Sequence, residues 1–284
     1  MVGMTIAEPQ PLESRVAGLH SRLAALPGLV VAYSGGADSA FLLAAAVRAL
    51  GADRVLAATA VSDSLALSER GPAADFAASL RVSTWTPGTH EMEREGYRAN
   101  AGDRCYFCKT ELFEVFAPEA ERRGWPVATG TNADDLAAGF RPGIRAAVEH
   151  GALTPLADAG LTKPEVREVS AAWGLPTWDK PAAACLASRI AYGIEVTPTR
   201  LARVEQAEGR VRGLLPGVRD LRVRDLGEGA ARVELDRPTM GTIDAAAREK
   251  VRQAVEGCGF SPVELREFRS GSMNELLADP ERYR

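Results

Sequence analysis

The sequence predicts an α/β protein, with a doubly wound and mostly parallel sheet followed by a smaller C-terminal α+β domain. Short apolar runs rich in β-branched residues alternate with helix-forming segments in the first part of the chain, as in proteins with parallel sheets. After Gly193 the pattern changes to strands in which apolar and charged residues alternate, beside amphipathic helices. We therefore predict two domains, with bounds at 1–193 and 194–284.

Composition argues against several classes of function. The 284 residues are 46% hydrophobic, enough for a sizeable core, and the net charge of −4 gives no general attraction to nucleic acid or to an anionic membrane. No apolar stretch approaches the roughly 18 residues that span a bilayer, and no basic segment followed by an apolar one marks a secretory signal. We expect a cytoplasmic protein that binds neither nucleic acid nor membranes.

The first predicted elements surround a glycine-rich turn. A helix over 12–26 keeps apolar residues at helical spacing, and the apolar run 29–32 follows it as a buried strand. The run 40–50 is rich in helix formers. Between this strand and this helix lies Ser34-Gly35-Gly36-Ala37-Asp38-Ser39.

This turn is suited to bind phosphate. Two glycines let the backbone turn tightly and approach a ligand, and the helix start offers unpaired N–H groups at the positive end of its dipole. It is not a Walker P-loop, because no Gly-Lys-Ser/Thr follows at the required spacing. The alternative is a plain strand-to-helix turn that Asp38 or Ser39 caps. The predicted phosphate-binding residues are Ser34, Gly35, Gly36, Asp38 and Ser39.

Polar residues follow two further predicted strands, 54–61 and 127–130. In a doubly wound sheet ligands bind beyond the carboxyl ends of the strands, where these residues lie. Ser62 follows the first of these strands, where one interpretation is a cap for the helix that begins near Leu65. Asp134 and Asp135 hold Mg²⁺ on pyrophosphate through water in one interpretation, and form an Asx turn before the next helix in the other.

Further segments complete the first domain. The sequence predicts a helix over 72–80 and a short third strand over 81–84. Lys163 precedes Pro164 at a predicted helix start, where the helix dipole disfavours a cation. A contact between the Lys163 side chain and a phosphate would explain this position. The alternative is that the Lys163 side chain extends into solvent.

The second domain is predicted to be a small α+β unit. Two of its strands alternate apolar and charged residues and are joined by a Gly-Glu-Gly turn, which indicates an antiparallel pair. The predicted elements are a helix over 196–212, strands over 221–226 and 231–235, a helix over 242–255 and a strand over 263–268.

The four cysteines divide into a pair and two single residues. Cys105 and Cys108 form a Cys-x-x-Cys motif at a predicted helix start beside basic residues, where the pKa of a thiol should be lowered. In a chain without an export signal such a pair more often binds metal or carries out redox chemistry than forms a disulfide. Small residues around Cys185 leave its sulfur open to a ligand, and Cys258 has the surroundings of a buried filler.

The glycine-rich turn resembles the SGGxDS signature of the PP-loop ATP pyrophosphatases. Those enzymes cleave ATP between the α and β phosphates, releasing pyrophosphate and leaving AMP on the substrate. The resemblance implies an adenine nucleotide alpha hydrolase-like fold and a nucleotide contact at Ser62. It leaves the acceptor of the AMP group open.

A longer set of motifs runs from about Leu29 to Leu277. They are SGGADS, RCYFCK, GTNADD, FRPG, LTKPEVR, WDKPAAACLASRIAYG and the terminal FRSGSMNELL. Together they resemble the LarE family, the ATP-dependent pyridinium-3,5-biscarboxylate mononucleotide sulfur transferases. One departure is Ala191, where the family commonly has proline.

The resemblance implies a reaction centred on Cys185, which matches the central cysteine of the family. ATP adenylates one carboxylate of a dicarboxylated pyridinium mononucleotide, and the cysteine sulfur displaces AMP to give a thioester. Cleavage of the cysteine Cβ–S bond leaves a thiocarboxylate on the substrate and dehydroalanine in the enzyme. The product serves the nickel-pincer nucleotide cofactor of lactate racemase, and the family tends to form homo-oligomers.

The resemblance also assigns phosphate contacts. Ser188 and Arg189 match positions near AMP. Arg222 and Arg224 lie two apart on one strand face and match positions that bind the mononucleotide phosphate. The alternative for these two is an exposed strand face with cross-strand ion pairs. The acidic partners at the same site match Glu208 and Glu234.

The Cys-x-x-Cys pair divides the family. Members without it are single-use sulfur donors, and members with it are thought to bind a 4Fe-4S cluster through three cysteines. We predict such a cluster on Cys105, Cys108 and Cys185. The alternative is sacrificial chemistry at Cys185, with a redox or zinc-binding pair beside it.

Two other classes of function stay open. One is another PP-loop ligase, either a tRNA-thiolating enzyme or an amidotransferase-coupled synthetase similar to NAD or GMP synthetase. A tRNA enzyme would need a basic appended domain, whereas the second domain here carries many acids beside its arginines. The other class is a non-catalytic nucleotide-binding module. Pyrophosphate release that depends on the pyridinium substrate separates these possibilities.

Overall fold

The computed structural model describes residues 11–139, 141–182 and 184–273. Short 3₁₀ turns lie at Ala52–Arg54, Glu91–Glu93 and Leu186–Arg189. The strands are β1 (Leu29–Ala32), β2 (Val55–Ala58), β3 (Ser83–Trp85), β4 (Val127–Thr129), β5 (Leu221–Gly227), β6 (Ala230–Leu235) and β7 (Val263–Glu267). The helices are α1 (Leu12–Ala24), α2 (Ala37–Leu50), α3 (Leu67–Ser79), α4 (Glu95–Arg98), α5 (Arg104–Arg123), α6 (Ala133–Ala137), α7 (Pro142–Glu149), α8 (Pro155–Asp158), α9 (Lys163–Ala172), α10 (Pro198–Leu214), α11 (Arg237–Thr242) and α12 (Ala245–Glu256).

The first sheet is parallel throughout, in the order β3-β2-β1-β4. Val31 of the central strand lies opposite Ala57 on one side and Ala128 on the other. Because the strands are parallel, their carboxyl ends share one edge of the sheet, and the segments that follow them converge there. This arrangement confirms the predicted α/β fold class.

Helices cover both faces of this sheet. Leu29 and Val31 belong to a core shared with α1, α2 and α9, whereas Val30 belongs to a second core beside Phe116 of α5. A strand buried on both faces must be apolar at successive positions, which explains the uninterrupted run 29–32.

The second sheet has the order β5-β6-β7, with an antiparallel first pair and a parallel second pair. Its strands pack on α10 and α12 around a core that includes Val204, Val223, Val233 and Val251. The predicted small α+β unit is confirmed.

This C-terminal core also includes residues from the first predicted domain, 1–193. Tyr97, Leu186, Ala187 and Ile190 are almost fully buried in it. The segment that carries Cys185 is therefore held against the second sheet, although it precedes the predicted domain boundary. Within the described ranges, no helix has the length and apolar character needed to cross a membrane.

The start of α3 differs from the prediction by five residues, and α11 is one of the helices that were not predicted. Helix α3 begins at Leu67, with Pro72 inside it, because Glu205 of α10 accepts a hydrogen bond from the Leu67 N–H and stabilises the earlier start. Helix α11 was not predicted, although Asp236 accepts a hydrogen bond from the Thr239 N–H in the manner of a normal N-cap.

Candidate active site

The glycine-rich turn after β1 is held by its own serines. The Ser34 and Ser39 hydroxyl oxygens lie 3.2 Å apart, and the Ser39 hydroxyl also donates to the Gly36 carbonyl at 3.1 Å. Gly35 has a φ of +75°, a conformation that L side chains rarely adopt. Helix α2 is preceded by Gly36 and has no side-chain cap, so the alternative of an Asp38 or Ser39 cap is wrong. The first N–H groups of α2 are left for a ligand.

The end of β4 lies against this turn. A Cβ atom at Gly130 would lie 2.7 Å from the Ser39 backbone nitrogen, so glycine is needed for this approach. Asn132, two residues on, donates to the Asp38 carboxylate at 3.3 Å.

Asp38 is the acidic group of the turn. Burial raises the pKa of its carboxyl group, while Lys163, whose Nζ lies 3.9 Å from it, and the Asn132 amide act in the opposite direction. Lys163 is the first residue of α9. Its ammonium group lies beside the turn while its side chain is 43% exposed, and the phosphate contact of this lysine stays a prediction.

A pocket of about 410 Å³ opens at this edge of the sheet. The turn and the end of β4 form one side, and the first turns of α5 and α7 form the other. Cationic side chains from Lys109 and Arg141 and the thiol-bearing Cys105 line the second side. The residues of the turn that line it are Ser34, Gly36, Asp38 and Ser39.

The two aspartates after β4 bind backbone groups. Asp135 forms a capping box with Asn132 at the start of α6, and Asp134 accepts a hydrogen bond of 2.8 Å from the Lys163 N–H. The Asx-turn interpretation thus describes the structure. Asp135 and Asp38 also line the pocket, where Mg²⁺ on a substrate phosphate needs only one or two carboxylates. The Mg²⁺ site stays a prediction.

Ser62 lies in neither predicted role. Its hydroxyl donates to Glu91 and accepts from the Ser64 N–H, and α3 begins only at Leu67. The hydroxyl is thus occupied within the protein rather than turned to the pocket.

Cys185 is exposed and precedes the 3₁₀ turn Leu186–Arg189. The Ser188 hydroxyl and the Arg189 guanidinium donate to the Cys185 carbonyl at 2.7 and 3.1 Å. The Leu186 N–H donates to the Ser64 carbonyl at 2.8 Å, which ties this turn to the segment before α3. The backbone that carries the thiol is therefore held in place by hydrogen bonds.

A buried asparagine and arginine bring the start of α5 to this turn. The Asn100 amide reaches the carbonyls of Ala191 and Ile194 at 2.8 and 2.9 Å, and its oxygen accepts from Arg104. Arg104 in turn donates to the Ala187 carbonyl at 2.9 Å. The Cys-x-x-Cys helix and the Cys185 turn are thus joined.

The three cysteines lie in one region. Arg104 and Tyr192 are within electrostatic range of both Cys105 and Cys185, and the Cys185 thiolate would act on Cys108. The lowered pKa predicted for the pair is wrong for Cys108. Burial, and then the charge of Cys185, raise the pKa of the Cys108 thiol, because it lies a turn inside α5 rather than at its first N–H groups.

The predicted 4Fe-4S cluster requires side chains that are arranged to bind metal. Among the described residues, no three side chains of His, Cys, Asp or Glu are arranged to hold a metal ion. The three thiols do not fit a cluster as they stand, and no step of the proposed sulfur transfer at Cys185 uses one. The cluster stays a prediction.

The arginines of the second domain are buried together. Arg189 binds Glu208 through two nitrogens at 2.9 and 3.3 Å, and Arg224 binds Glu234 at 2.8 Å. The residues Arg189, Glu208, Arg222, Arg224 and Glu234 are all less than 9% exposed. The exposed strand face of the alternative is therefore wrong, but its cross-strand ion pair is present, between Arg224 of β5 and Glu234 of β6.

Arg222 differs from its neighbours. Its guanidinium donates to the carbonyls of Leu221 and Ala182, and no carboxylate in the described part of the chain lies within ion-pair distance. Burial lowers the pKa of Arg222 to about 10, and the positive charge of Arg189 adds to this effect. A buried cation without a counterion is a ready site for an anion.

A second pocket, of about 270 Å³, opens on this cluster. Cationic side chains outnumber acidic ones in its lining, which suits a phosphate. Arg189 lines this pocket and is held by Glu208, so the predicted contact of Arg189 with AMP at the first pocket is not supported. The charged lining residues are Glu69, Lys180, Arg189, Glu208, Arg212, Arg219 and Arg222.

Sequence reasoning missed Lys180 and the role of Asn100. Lys180 stands in the WDKPAAACLASRIAYG motif, but the motif assigns it no role, and Asn100 stands in none of the motifs; both act through contacts made far along the chain. The departure at Ala191 has a local explanation: its N–H donates to the Asp225 carbonyl at 2.9 Å, a bond that proline could not make. Phe140 of the FRPG motif, Ala183 and residues 274–277 of the terminal motif lie outside the described residues.

Fold and site together define a Rossmann-like α/β protein with a glycine-rich turn after strand β1. No protein-family model matches the chain. It is 30% identical over 268 residues to the pyridinium-3,5-bisthiocarboxylic acid mononucleotide synthase of Lactiplantibacillus plantarum, covering 94% of this chain and 96% of that protein. The chain belongs to the family of that synthase, in agreement with the motifs.

Two uncharacterised proteins are also similar. One, from Synechocystis sp., is 40% identical over 271 residues, which cover 94% of this chain and 99% of that protein. The other, from Methanocaldococcus jannaschii, is 25% identical over 248 residues, which cover 83% of this chain and 87% of that protein.

Proposed function

We propose that the chain is an ATP-dependent sulfur transferase acting on pyridinium-3,5-biscarboxylic acid mononucleotide. It adenylates a carboxylate of this substrate, releases pyrophosphate and converts the carboxylate to a thiocarboxylate, for biosynthesis of the nickel-pincer nucleotide cofactor. The named relative supports the substrate class. The observation that carries the proposal is the exposed thiol of Cys185, which follows Ala184 of the second pocket in the chain and lies within electrostatic range of Tyr192 of the first.

The first pocket binds ATP. The phosphates of ATP bind the N–H groups at the start of α2, and Lys109 and Arg141 supply positive charge from the opposite side of the pocket. Lys163 keeps Asp38 in place beside the turn. Mg²⁺ bound through Asp38 or Asp135 would neutralise phosphate charge.

The second pocket binds the phosphate of the mononucleotide. Arg222 is its principal ligand, because it is buried without a carboxylate partner among the described residues. Glu208 and Glu234 hold Arg189 and Arg224 in position. The substrate phosphate is thereby anchored in the pocket that Ala184 and Arg189 line, at the two ends of the Cys185 turn.

Sulfur transfer follows adenylation. The Cys185 thiolate attacks the acyl carbon, and AMP leaves with the bridging oxygen and its electron pair. Removal of the Cys185 Cα proton then breaks the Cβ–Sγ bond, and the thiocarboxylate leaves with that electron pair. Dehydroalanine remains at position 185, and no oxidant or reductant is consumed.

The predicted 4Fe-4S cluster is the rival sulfur source. The described arrangement of Cys105, Cys108 and Cys185 does not form a metal site, so these thiols would hold a cluster only after moving closer together, and it would then supply sulfide without loss of Cys185. Anaerobic purification followed by iron and acid-labile sulfide analysis distinguishes the two sources. Iron at background level contradicts the cluster, and intact Cys185 after turnover contradicts the sacrificial route.

The proposed function is tested by incubating the protein with ATP and the mononucleotide, and measuring pyrophosphate and thiocarboxylate. Cys185→Ala should abolish thiocarboxylate formation and keep pyrophosphate release, because the thiol acts only after adenylation. Cys258→Ala is the matched control, since this buried thiol lies in the C-terminal core. Full sulfur transfer by Cys185→Ala, or no mononucleotide-dependent pyrophosphate in the unmodified protein, contradicts the proposal.

A further inference from the structure

One ammonium group connects the two pockets. The Lys180 Nζ donates to the Gly35 carbonyl at 2.9 Å and to Glu69 at 2.7 Å. Gly35 lies between Ser34 and Gly36, which line the first pocket, and Lys180 itself lines the second.

The backbone of Lys180 is held in position by hydrogen bonds at its carbonyl and at its N–H. Arg167 donates to the Lys180 carbonyl at 2.7 Å, and the Lys180 N–H donates to the Thr177 carbonyl at 3.1 Å. The Lys180 side chain is 20% exposed. A charge with a fixed backbone and little access to water is preorganised to act on a bound ligand.

Adenylation requires a cation at the place where the two substrates meet. A carboxylate oxygen must approach the α-phosphate of ATP, and both groups are anionic. Lys163 and Arg189 each lie beside a carboxylate, and so does Lys180, which pairs with Glu69. Lys180 is distinguished by its position, because it contacts the ATP turn and also lines the substrate pocket.

We propose that Lys180 is a catalytic residue of the adenylation step, an inference that rests on the proposed function. Its ammonium group stabilises the negative charge that develops between the substrate carboxylate and the α-phosphate in the transition state. The carboxylate oxygen forms the bond to phosphorus, the bond from the α-phosphorus to the bridging oxygen breaks, and pyrophosphate leaves with the electron pair. Lys180 keeps its protons throughout.

A purely structural role makes a different prediction. If Lys180 only ties the turn to α3, removing its partner Glu69 should have the same effect as removing the lysine charge. Lys180→Gln keeps a donor for Gly35 and Glu69 but loses the charge. Lys180→Arg keeps the charge, Glu69→Gln removes the partner, and the exposed Lys250→Gln is the matched control for loss of a lysine.

The experiment measures mononucleotide-dependent pyrophosphate release, with affinity for a non-hydrolysable ATP analogue measured by calorimetry. In Lys180→Gln, kcat should fall by about 100-fold, the usual cost of removing one group that stabilises transition-state charge. Affinity for the ATP analogue should change by less than about threefold, because the lost interaction belongs to the transition state. Lys180→Arg should recover part of kcat, and Lys250→Gln should keep it. Glu69→Gln changes a residue of the second pocket but leaves the Lys180 charge in place, so it should lose much less kcat than Lys180→Gln.

Two results would overturn the inference alone. They are an unchanged kcat in Lys180→Gln, and an equal loss of kcat in Lys180→Gln and Glu69→Gln together with weaker binding of the ATP analogue. Thermal unfolding of each variant checks that it is folded. Absence of pyrophosphate release in the unmodified protein is a separate outcome, which overturns the proposed function and this inference together.

Discussion

Arg222 and Arg224 lie on the same strand and are both buried, yet their charges are balanced differently. Arg224 is paired with Glu234, whereas Arg222 donates only to carbonyl groups in the described part of the chain. The sequence placed both on one face at spacing two, but the spacing alone could not show which of them lacks a counterion. That distinction depends on the fold.

The first prediction concerns this difference. Arg222→Gln should weaken mononucleotide binding at least about tenfold, the value of one charge-assisted hydrogen bond. Its free energy of unfolding should stay unchanged or rise, because an unpaired buried cation is removed. Arg224→Gln should lower the free energy of unfolding by about 3 kcal/mol, because Glu234 is left buried without its partner. Binding calorimetry and urea unfolding measure both effects, and equal destabilisation by the two variants would contradict the assignment.

Cysteine chemistry was harder to predict at the residue scale. The position of Cys108 in the motif indicated a thiolate at a helix start, but in the structure the thiol lies a turn further in and packs against the C-terminal core. The sequence could indicate that Cys108 lies in a helix, but it could not indicate which residues pack over its thiol.

At the scale of elements, the strand β1 and the turn after it were predictable because the pattern is local. An apolar run, two glycines and a run of helix formers define strand, turn and helix without reference to the rest of the chain. The early start of α3 was not predictable, since it depends on Glu205 from α10. Tertiary contacts decide what local propensity leaves open.

A second prediction tests the connection between α5 and the Cys185 turn. Asn100 is buried with a φ of 52°, and its amide binds carbonyls near residue 190. Asn100→Ala should lower the free energy of unfolding by about 3 kcal/mol, since buried carbonyls and Arg104 lose their partner. Asn100→Gly should cost about 1 kcal/mol less, because glycine adopts this backbone conformation without strain. Equal stability of the two variants in urea unfolding would show that backbone strain plays no part.

The cap of α9 gives a pH-dependent prediction. The hydrogen bond from Arg15 lowers the pKa of Glu165 to about 2 from its usual 4.5, assisted by Thr162 in the capping box. Since the folded-state pKa is lowered, the stabilisation is complete above about pH 4.5 and is lost as the pH falls towards 2. Glu165→Gln should therefore flatten the decline of the unfolding midpoint over this range.

The exposed Glu168 on the same helix offers the matched control. Glu168→Gln should leave the acid limb of the stability curve as it is in the unmodified protein. A Glu165→Gln curve with the same steepness as the unmodified protein would contradict the ion-pair account of this cap.

At the scale of the whole molecule, the two sheets are not independent. Tyr97, Leu186 and Ile190, which precede the predicted boundary, are buried in the C-terminal core. The change in sequence pattern after Gly193 marked where the second set of elements begins. It could not show that the preceding segment packs with them, because an apolar sequence pattern indicates burial but not the core in which the residues are buried.

This shared core predicts cooperative unfolding. Calorimetry of the full chain should show one transition, with calorimetric and van't Hoff enthalpies in agreement. Two resolved transitions would show that the sheets unfold separately and that the Cys185 segment is not held by both.

The central claim is that a carboxylate activated by AMP is attacked by the sulfur at position 185. Its most direct test is a single turnover with mononucleotide whose carboxylates carry heavy oxygen, followed by mass spectrometry of the AMP released. Attack of the carboxylate on the α-phosphate predicts one heavy oxygen in each AMP, formed together with thiocarboxylate. Unlabelled AMP would show that water, not the substrate, cleaves ATP, and would contradict the claim.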